Sequence, residues 1–404
     1  MGLGPCHETL PHRVGGVPGE AGAGGGRLNH VRKVRAAPLA HATIHAMGGV
    51  FSYANPPVIR WGPGSVSTLR SELDRLGAAR VALITTRSVA ADSAVIGPVC
   101  DALDGRGPVA IAQVGQHAPA ADIASAERIV AERGADSVVS VGGGSPIDAA
   151  KIVAIHVGER RTGDAPLPHV AVPTTLSVAE LAAGAGMTDD AGNKVGLRDP
   201  RGLPQAVVYD ADLAVRTPID LWLSTGIRAL DHAVEGFLAD GEHPLTDVMA
   251  LEAVRRLFRT LPQARADPND VSVRTENQLG AWFSYTLPAP AAAGLSHMMG
   301  KQIGARHGIP HGVTSCLLLP HVMRYRAGWQ ERRLAALATA TGGRTAGGAA
   351  DAVEELVKRL ELPRHIADFG IGEPELRSAA GALAGSLGGR HTEADLFRLY
   401  MAAL

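Results

Sequence analysis

The sequence is poor in cysteine and lysine and contains no long apolar run. Its three cysteines, Cys6, Cys100 and Cys316, are far apart, which argues against a disulfide framework and against a Cys-x-x-Cys zinc site. No apolar run reaches the about 18 residues that a membrane span requires, and the N-terminus lacks the apolar core of a secretory signal. We therefore expect a soluble cytoplasmic protein with no membrane partner.

An excess of either charge is also missing. The 39 Lys and Arg residues nearly balance the 40 Asp and Glu residues, and no basic run is interleaved with aromatic residues. This composition argues against a nucleic-acid partner and favours a small-molecule ligand. Because lysine is so rare, each position is worth locating; the five are Lys33, Lys151, Lys194, Lys301 and Lys358.

The 404 residues suffice for two domains, each with its own core. Residues 1–48 are rich in glycine and then basic, without apolar periodicity, so we expect a disordered or non-native extension there. Residues 49–213 alternate short apolar runs with helical patterns, which predicts an α/β domain with a parallel sheet. Residues 214–404 read as helices, beginning at Pro218, and predict an all-helical second domain.

The predicted α/β elements follow one another closely. Strands are expected over residues 80–86, 109–114 and 137–141, and helices over residues 90–103 and 121–133. A loop of three glycines, residues 142–144, follows the third strand, and the next helix is predicted to begin with Ser145 at its N-cap and Pro146 at its first position.

This glycine loop is a candidate diphosphate site. Glycines let a ligand approach the backbone, and the helix N-terminus offers unpaired N–H groups and a positive dipole end. The spacing differs from the G-x-G-x-x-G fingerprint, and a ligand-free capped turn is the structural alternative. Thr174 and Thr175 follow another apolar strand and place two hydroxyls at the same sheet edge.

The helical half contains a histidine constellation. Arg228 and His232 share one helix face, as do His297 and Lys301, because each pair is four residues apart. His311 follows in a Pro-His-Gly turn. Any one of these histidines alone is more often structural, but together they predict a catalytic cleft with two cations.

These motifs resemble the iron-containing alcohol dehydrogenase family, in the branch that includes maleylacetate reductases. The resemblance is carried by residues 142–151, 173–175, 209–210, 231–235 and 294–320. It implies a Rossmann-like, dinucleotide-binding α/β domain followed by an all-α domain, as in the dehydroquinate synthase-like fold, and a homodimer. It also implies NAD(P)H contacts from Thr85, Thr86, Gly142, Gly143, Gly144, Ser145, Asp148, Thr174, Thr175 and Lys194.

Two departures from the family pattern affect the chemistry. Many relatives carry an Asp where this chain has Thr86, so we expect weak discrimination against NADPH, and we expect that Arg87 can assist the binding of NADPH.

Metal-dependent relatives bind iron or zinc through three histidines and an Asp, and Arg228 stands at the Asp position. A guanidinium about 4 Å from a divalent ion is repelled by several kcal/mol and cannot deprotonate. Asp231 is adjacent to His232 in sequence, but its side chain points about 100° away from that of His232 around the helix, which makes it a poor substitute ligand. We therefore predict no metal.

The first functional hypothesis is a metal-independent NAD(P)H-dependent reductase of an unsaturated or keto acid. Arg228 would bind a carboxylate, Lys301 or His297 the carbonyl oxygen, and His311 or His232 would transfer the proton. Three alternatives stay open: a metal-dependent alcohol dehydrogenase, a non-redox lyase, isomerase or cyclase suggested by Lys301, and a binding protein without catalysis.

Overall fold

The computed structural model describes residues 55–404, except 104–106, 192–193, 242, 286–293, 344–345 and 388–390. At residues 194, 305 and 346 it describes the backbone alone. The predicted extension over residues 1–48 lies outside the described residues. Within residues 55–404 the last described strand ends at Tyr209, so the predicted boundary near residue 213 coincides with a change from mixed to helical structure.

A six-stranded parallel sheet forms the first half. Its strands are β1 (Ile59–Trp61), β2 (Val81–Thr85), β3 (Ala110–Gln113), β4 (Ser137–Gly142), β5 (His169–Pro173) and β8 (Ala206–Tyr209). Their order across the sheet is β1-β8-β5-β4-β2-β3, and every neighbouring pair is parallel. The predicted α/β class with a parallel sheet is confirmed.

Helices cover both faces of this sheet. They are α1 (Leu69–Arg75), α2 (Arg87–Ala91), α3 (Ser93–Asp101), α4 (Ala120–Glu132) and α5 (Gly144–Thr162). Successive residues of β2 point to opposite faces: Leu83 belongs to the cluster containing Val99 of α3, and Ile84 to the cluster containing Ile152 of α5. Burial on both faces explains why the central strands read as continuous apolar runs.

Two details differ from the sequence-based predictions. The single helix expected over residues 90–103 is wrong, because α2 and α3 are separated at Asp92, whose extended backbone and side chain cap α3 through the Ala94 N–H. An antiparallel hairpin that was not predicted, β6 (Gly184–Thr188) with β7 (Lys194–Arg198), stands beside the sheet.

The second half is helical. It comprises α6 (Ala211–Ala214), α7 (Ile219–Phe237), α8 (Pro244–Ala266), α9 (Val271–Ser284), α10 (Leu295–His307), α11 (His311–Arg326), α12 (Glu331–Ala340), α13 (Ala346–Arg359), α14 (Glu373–Ser386) and α15 (Glu393–Ala402). None of the helices in the described part of the chain combines the length and apolarity that a membrane crossing requires.

Helix α7 lies at the centre of this half. Residues 222–237 are buried without interruption, since α8, α9 and α11 pack around the helix. Close approach depends on glycine: a Cβ on Gly226 would lie 2.5 Å from Leu261, and one on Gly312 would lie 2.6 Å from the backbone of Ser224. The polar residues in this buried stretch of α7 are therefore shielded from bulk water and require hydrogen-bond or ionic partners.

Candidate functional site

A cleft of about 1870 Å³ runs from the carboxyl ends of the parallel strands to helices α7, α10 and α11. Thr86, Gly143 and Thr175 line its sheet end, while His232 and Lys301 line its helical end. Open parallel sheets bind ligands at this edge, because the loops after the strands converge there. All five residues predicted for catalysis and seven of the ten predicted for a cofactor line this one cavity, whereas Thr85 and Gly142 do not, and the side chain of Lys194 lies outside the described residues.

The glycine loop connects β4 to α5 without a side chain at its cap. Gly142 has φ +134°, a conformation open to glycine, and a Cβ there would lie 2.9 Å from Pro146. The predicted cap is wrong: Gly143 is the N-cap and α5 begins at Gly144. Ser145, now inside the first turn, accepts a hydrogen bond from the His117 N–H at 2.9 Å and ties the loop to its neighbour.

Two buried hydroxyls beside the loop have no hydrogen-bond partner among the described residues. They are Thr175 Oγ1 and Ser177 Oγ, and both side chains line the cleft. A Cβ on Gly143 would lie 3.1 Å from the Thr175 side chain, so only glycine leaves this space open. Unpartnered buried hydroxyls are costly, which indicates a polar ligand at this position.

The other predicted cofactor residues have different surroundings. Asp148 lines the cleft, where it accepts hydrogen bonds from Lys151 Nζ at 3.1 Å and from the Gly186 N–H at 2.9 Å. Thr174 also lines the cleft, whereas the buried Thr85 hydroxyl donates to the Val141 carbonyl inside the sheet. The backbone of Lys194 begins β7, and its side chain lies outside the described residues.

Thr86 lines the cleft and caps α2. Its Oγ1 accepts a hydrogen bond from the Val89 N–H at 3.3 Å and lies 3.0 Å from Ser88 Oγ. Arg87 follows on the same wall of the cleft. This wall carries hydroxyl groups and a cation close to the end of β2.

Arg228 lies at the helical end with only 6% of its surface exposed. Its Nη2 contacts the imidazole of His297, at 3.0 Å from Nε2 and closer to Nδ1. Its Nη1 donates to Ser315 Oγ at 3.1 Å and lies 3.5 Å from Asp231 Oδ2. The guanidinium therefore lies directly against one of the three predicted histidines.

Asp231 faces away from the cleft, as the helical geometry predicts. Its Oδ2 accepts hydrogen bonds from Ser315 Oγ at 2.6 Å and Ser296 Oγ at 3.0 Å, and its buried Oδ1 has no hydrogen-bond partner in the described part of the chain. Burial raises the pKa of Asp231, and Arg228 and the two serines oppose that shift. This carboxylate thus belongs to the support of Arg228.

Glu235 fixes the start of α10, which carries His297. Its carboxylate accepts hydrogen bonds from the Ser296 N–H at 2.6 Å and the His297 N–H at 3.4 Å, at the helix N-terminus. Burial, assisted by Asp231, raises the pKa of Glu235 to about 8. A Cβ on Gly294 would overlap the Glu235 carboxylate, so only glycine leaves space for it at this position.

The three predicted histidines all line the cleft. The His232 ring lies 5.5 Å from the His297 ring and 5.1 Å from the Tyr285 ring, and the His311 ring meets His117 edge to face at 5.8 Å. Burial lowers the pKa values of His232 and His297 well below the usual range, and the positive charge of Arg228 lowers them further. Both imidazoles are therefore neutral at physiological pH.

Lys301 brings a second cation to the same wall. Burial, together with Arg228 and Arg198, lowers the pKa of Lys301. Among the described residues its Nζ has no hydrogen-bond or ion-pair partner, and the side chain lines the cleft. Lys301 is thus a cation that releases its proton more readily than an ordinary lysine.

Ser296, Ser315 and Arg198 are site residues that the sequence-based reasoning did not identify. For the two serines one indirect signal was available. Asp231 stands three residues after Arg228 and can pair with it on the helix, so polar partners of this pair were to be expected nearby. Serine carries no signal of its own, and Arg198 lies in the hairpin that was not predicted.

Within the described residues, no group of three or more His, Cys, Asp or Glu side chains is arranged to hold a metal ion. His232, His297 and His311 approach one cavity, but the Arg228 guanidinium lies against the ring nitrogens of His297. A fixed cation thus takes up donor atoms that a metal site would require.

Two family models together match most of the chain between residues 56 and 390. The iron-containing alcohol dehydrogenase model matches residues 56–211, and the C-terminal model of the Fe-containing alcohol dehydrogenase family matches residues 222–390. Their junction lies at the change from mixed to helical structure.

Relatives and solved structures agree with these models. Maleylacetate reductase from Rhizobium sp. (strain MTP-10005) is 31% identical over 82% of this chain and 90% of its own length. Maleylacetate reductase 2 from Cupriavidus pinatubonensis is 32% identical over 77% and 84%. The crystal structure of maleylacetate reductase from Agrobacterium tumefaciens matches with a TM-score of 0.77 and 28% identity, over 89% of this chain and 98% of that one. The chain therefore belongs to the iron-containing alcohol dehydrogenase family and is an oxidoreductase.

Proposed function

We propose that this protein is an NAD(P)H-dependent, metal-independent reductase of a small carboxylate-bearing substrate with a conjugated C=C bond or a keto group. The observation that carries the proposal is the Arg228 guanidinium, which lies against His297 at the cleft wall. A permanent cation at this point favours an anionic guest over a bound metal ion.

The metal-free assignment is supported by the surroundings of His297. An ion bound to its ring would lie within a few ångströms of the Arg228 guanidinium, whose Nη2 lies against the ring nitrogens. The nearest buried carboxylate, Asp231, does not line the cleft and already accepts hydrogen bonds from Ser296 and Ser315. The donor set does not fit a divalent cation.

The cofactor assignment is supported by the glycine loop. Backbone N–H groups at the start of α5 and the unpartnered hydroxyls of Thr175 and Ser177 suit a diphosphate. When bound, NAD(P)H supplies the hydride. Thr86 and Arg87 present no carboxylate that would repel a 2′-phosphate, which supports the use of either nucleotide.

Arg228 is suited to bind a substrate carboxylate through one edge. Of its described hydrogen bonds, those of Nη1 and Nη2 reach Ser315 and His297, and none involves Nε. The Nε–Nη2 edge is one of the two geometries in which a guanidinium binds a carboxylate bidentately. We propose that this edge orients the substrate.

Lys301 is the best candidate for the proton donor. Its lowered pKa makes proton release easier, and its ammonium also stabilises negative charge that develops on a substrate oxygen. His232 is poorly suited to this role, because burial and Arg228 keep its ring neutral. His311 remains a second possible donor.

The test is a spectrophotometric assay with maleylacetate, the compound named in the relatives, and with NADH or NADPH. We expect nucleotide oxidation that survives exhaustive treatment with a chelator. Loss of activity on chelation and its recovery with iron or zinc would establish a metal enzyme. Turnover of the organic substrate without any change in nucleotide absorbance would establish a non-redox reaction.

A further inference from the structure

Four buried side chains form one polar unit behind the cleft. Arg228 and Asp231 come from α7, Ser296 from α10 and Ser315 from α11. Of the four, only Arg228 lines the cleft. The other three are each no more than 1% exposed, so none of them contacts a ligand in the cleft directly.

The hydrogen bonds of this unit have a definite direction. Ser315 Oγ accepts from Arg228 Nη1 at 3.1 Å and donates to Asp231 Oδ2 at 2.6 Å. Ser296 donates to the same oxygen at 3.0 Å, and Arg228 Nη1 approaches it at 3.5 Å. A carboxylate is the only member that is an acceptor alone, so it determines the orientation of both hydroxyls.

Charge balance leads to the same residue. A guanidinium this deeply buried is costly unless an anion lies close to it. Asp231, which does not line the cleft, supplies that anion beside Arg228 Nη1, and none of the described hydrogen bonds of Arg228 involves its Nε. The carboxylate thereby neutralises the cation without occupying the surface that an anionic ligand would use.

We propose that Asp231 is a positioning residue, which acts with Ser315 and Ser296 to hold the Arg228 guanidinium against His297 with its Nε–Nη2 edge toward the cleft. The inference rests on the proposed function, in which Arg228 binds an anion. Two physical effects of Asp231 have opposite signs. Its negative charge weakens the attraction of an anion to the cleft, whereas its hydrogen bonds fix the guanidinium in the binding orientation. If positioning dominates, removing the charge weakens anion binding.

The experiment measures the affinity for succinate, a dicarboxylate without a reducible double bond, by calorimetry on the full-length protein. We expect Asp231→Asn to weaken succinate binding about tenfold or more, and Arg228→Met to weaken it at least as much. The double variant should bind no more weakly than Arg228→Met alone, because Asp231 acts through Arg228. Unchanged or tighter binding by Asp231→Asn, or additive losses in the double variant, would overturn the inference.

A second variant covers the case in which Asp231→Asn does not fold. Ser315→Ala keeps both charges and removes only the bridging hydroxyl, so we expect a smaller loss of affinity in the same direction. Ser137→Ala is the matched control, since Ser137 is also fully buried but begins β4 at the edge opposite the cleft. An equal loss in both serine variants would contradict the inference.

Crystal structures separate this inference from the proposed function. If Arg228→Met binds succinate as well as the wild type, the anion-binding role of Arg228 is wrong. The structure of Asp231→Asn, or of Ser315→Ala if the first does not fold, then still decides on positioning. A guanidinium that turns away from His297 supports the inference, and one that stays in place overturns it.

Discussion

At the scale of single residues, Arg228 is the side chain on which the proposed chemistry depends. Replacing Arg228 with Lys keeps the charge but removes the planar edge, so we expect kcat/KM to fall about 10- to 100-fold. Arg228→Met removes the charge as well and should cost about 1000-fold. Steady-state nucleotide oxidation with maleylacetate measures both variants. Equal activities of wild type and Arg228→Met would show that the guanidinium does not contact the substrate.

Lys301 leads to a prediction about pH. A lysine that donates a proton is active only while protonated, so the rate should fall as pH rises through its pKa, which burial, Arg228 and Arg198 place below the ordinary value. Lys301→Arg should remove this alkaline limb and lower the rate across the whole pH range, because a guanidinium keeps its proton and cannot donate it. The pH dependence of kcat/KM provides the measurement. An alkaline limb that is identical in both proteins would assign the proton to another group.

At the scale of helices and loops, the site depends on how closely α11 approaches α7. Gly312 follows His311, and a Cβ there would lie 2.6 Å from the Ser224 backbone, which cannot yield as a flexible side chain would. We expect Gly312→Ala to destabilise the fold by about 1–3 kcal/mol and to displace His311.

Chemical denaturation of a matched pair measures this effect. Gly347 lies in α13 with open space around a Cβ, so Gly347→Ala should be neutral or slightly stabilising. If Gly312→Ala is as stable as Gly347→Ala, the close packing of α7 and α11 does not matter.

The sequence predicts elements better than their ends. Buried strands such as Val81–Thr85 were predictable, because β-branched and apolar runs between polar turns have few other interpretations. The cap of α5 was not, since Ser145 is the better capping residue by type, but tertiary contact with His117 uses its hydroxyl. The hairpin formed by β6 and β7 also escaped prediction, because its glycine-rich strands lack a clear apolar alternation.

At the scale of the whole molecule, a buried acid below the cleft links stability to pH. Glu180 Oε1 accepts a hydrogen bond from the Tyr209 hydroxyl at 2.6 Å, and no described residue offers a hydrogen bond to its Oε2. Burial raises the pKa of Glu180 from 4.5 to about 7. A raised pKa favours the protonated folded form, so this stabilisation is complete below pH 4.5 and is lost as pH rises through about 7.

The loss amounts to roughly 3 kcal/mol at 1.36 kcal/mol per pKa unit. We expect Glu180→Gln, which cannot ionise, to show a shallower decrease in unfolding free energy between pH 5 and 8. Urea denaturation across this range is the measurement. Glu132→Gln, at an exposed position of α4, is the control and should keep the wild-type slope. A wild-type slope in Glu180→Gln would mean that Glu180 is ionised in the folded protein.

The family and the fold class were predictable from the sequence, because the glycine loop and the Asp231–Glu235 motif occur in the family's order. The arrangement behind the cleft was not. Helix geometry turns Asp231 about 100° away from His232, but which side chains of α10 and α11 it meets depends on how those helices pack against α7, and no local pattern fixes that packing. The homodimer and the absence of macromolecular partners stay predictions.

The metal content of the active enzyme tests the central claim most directly. The protein is purified at full activity, and iron and zinc are counted per chain by mass spectrometry. Our account predicts far less than one metal ion per chain with undiminished nucleotide oxidation. One tightly bound iron or zinc per chain, present in proportion to activity, would contradict it.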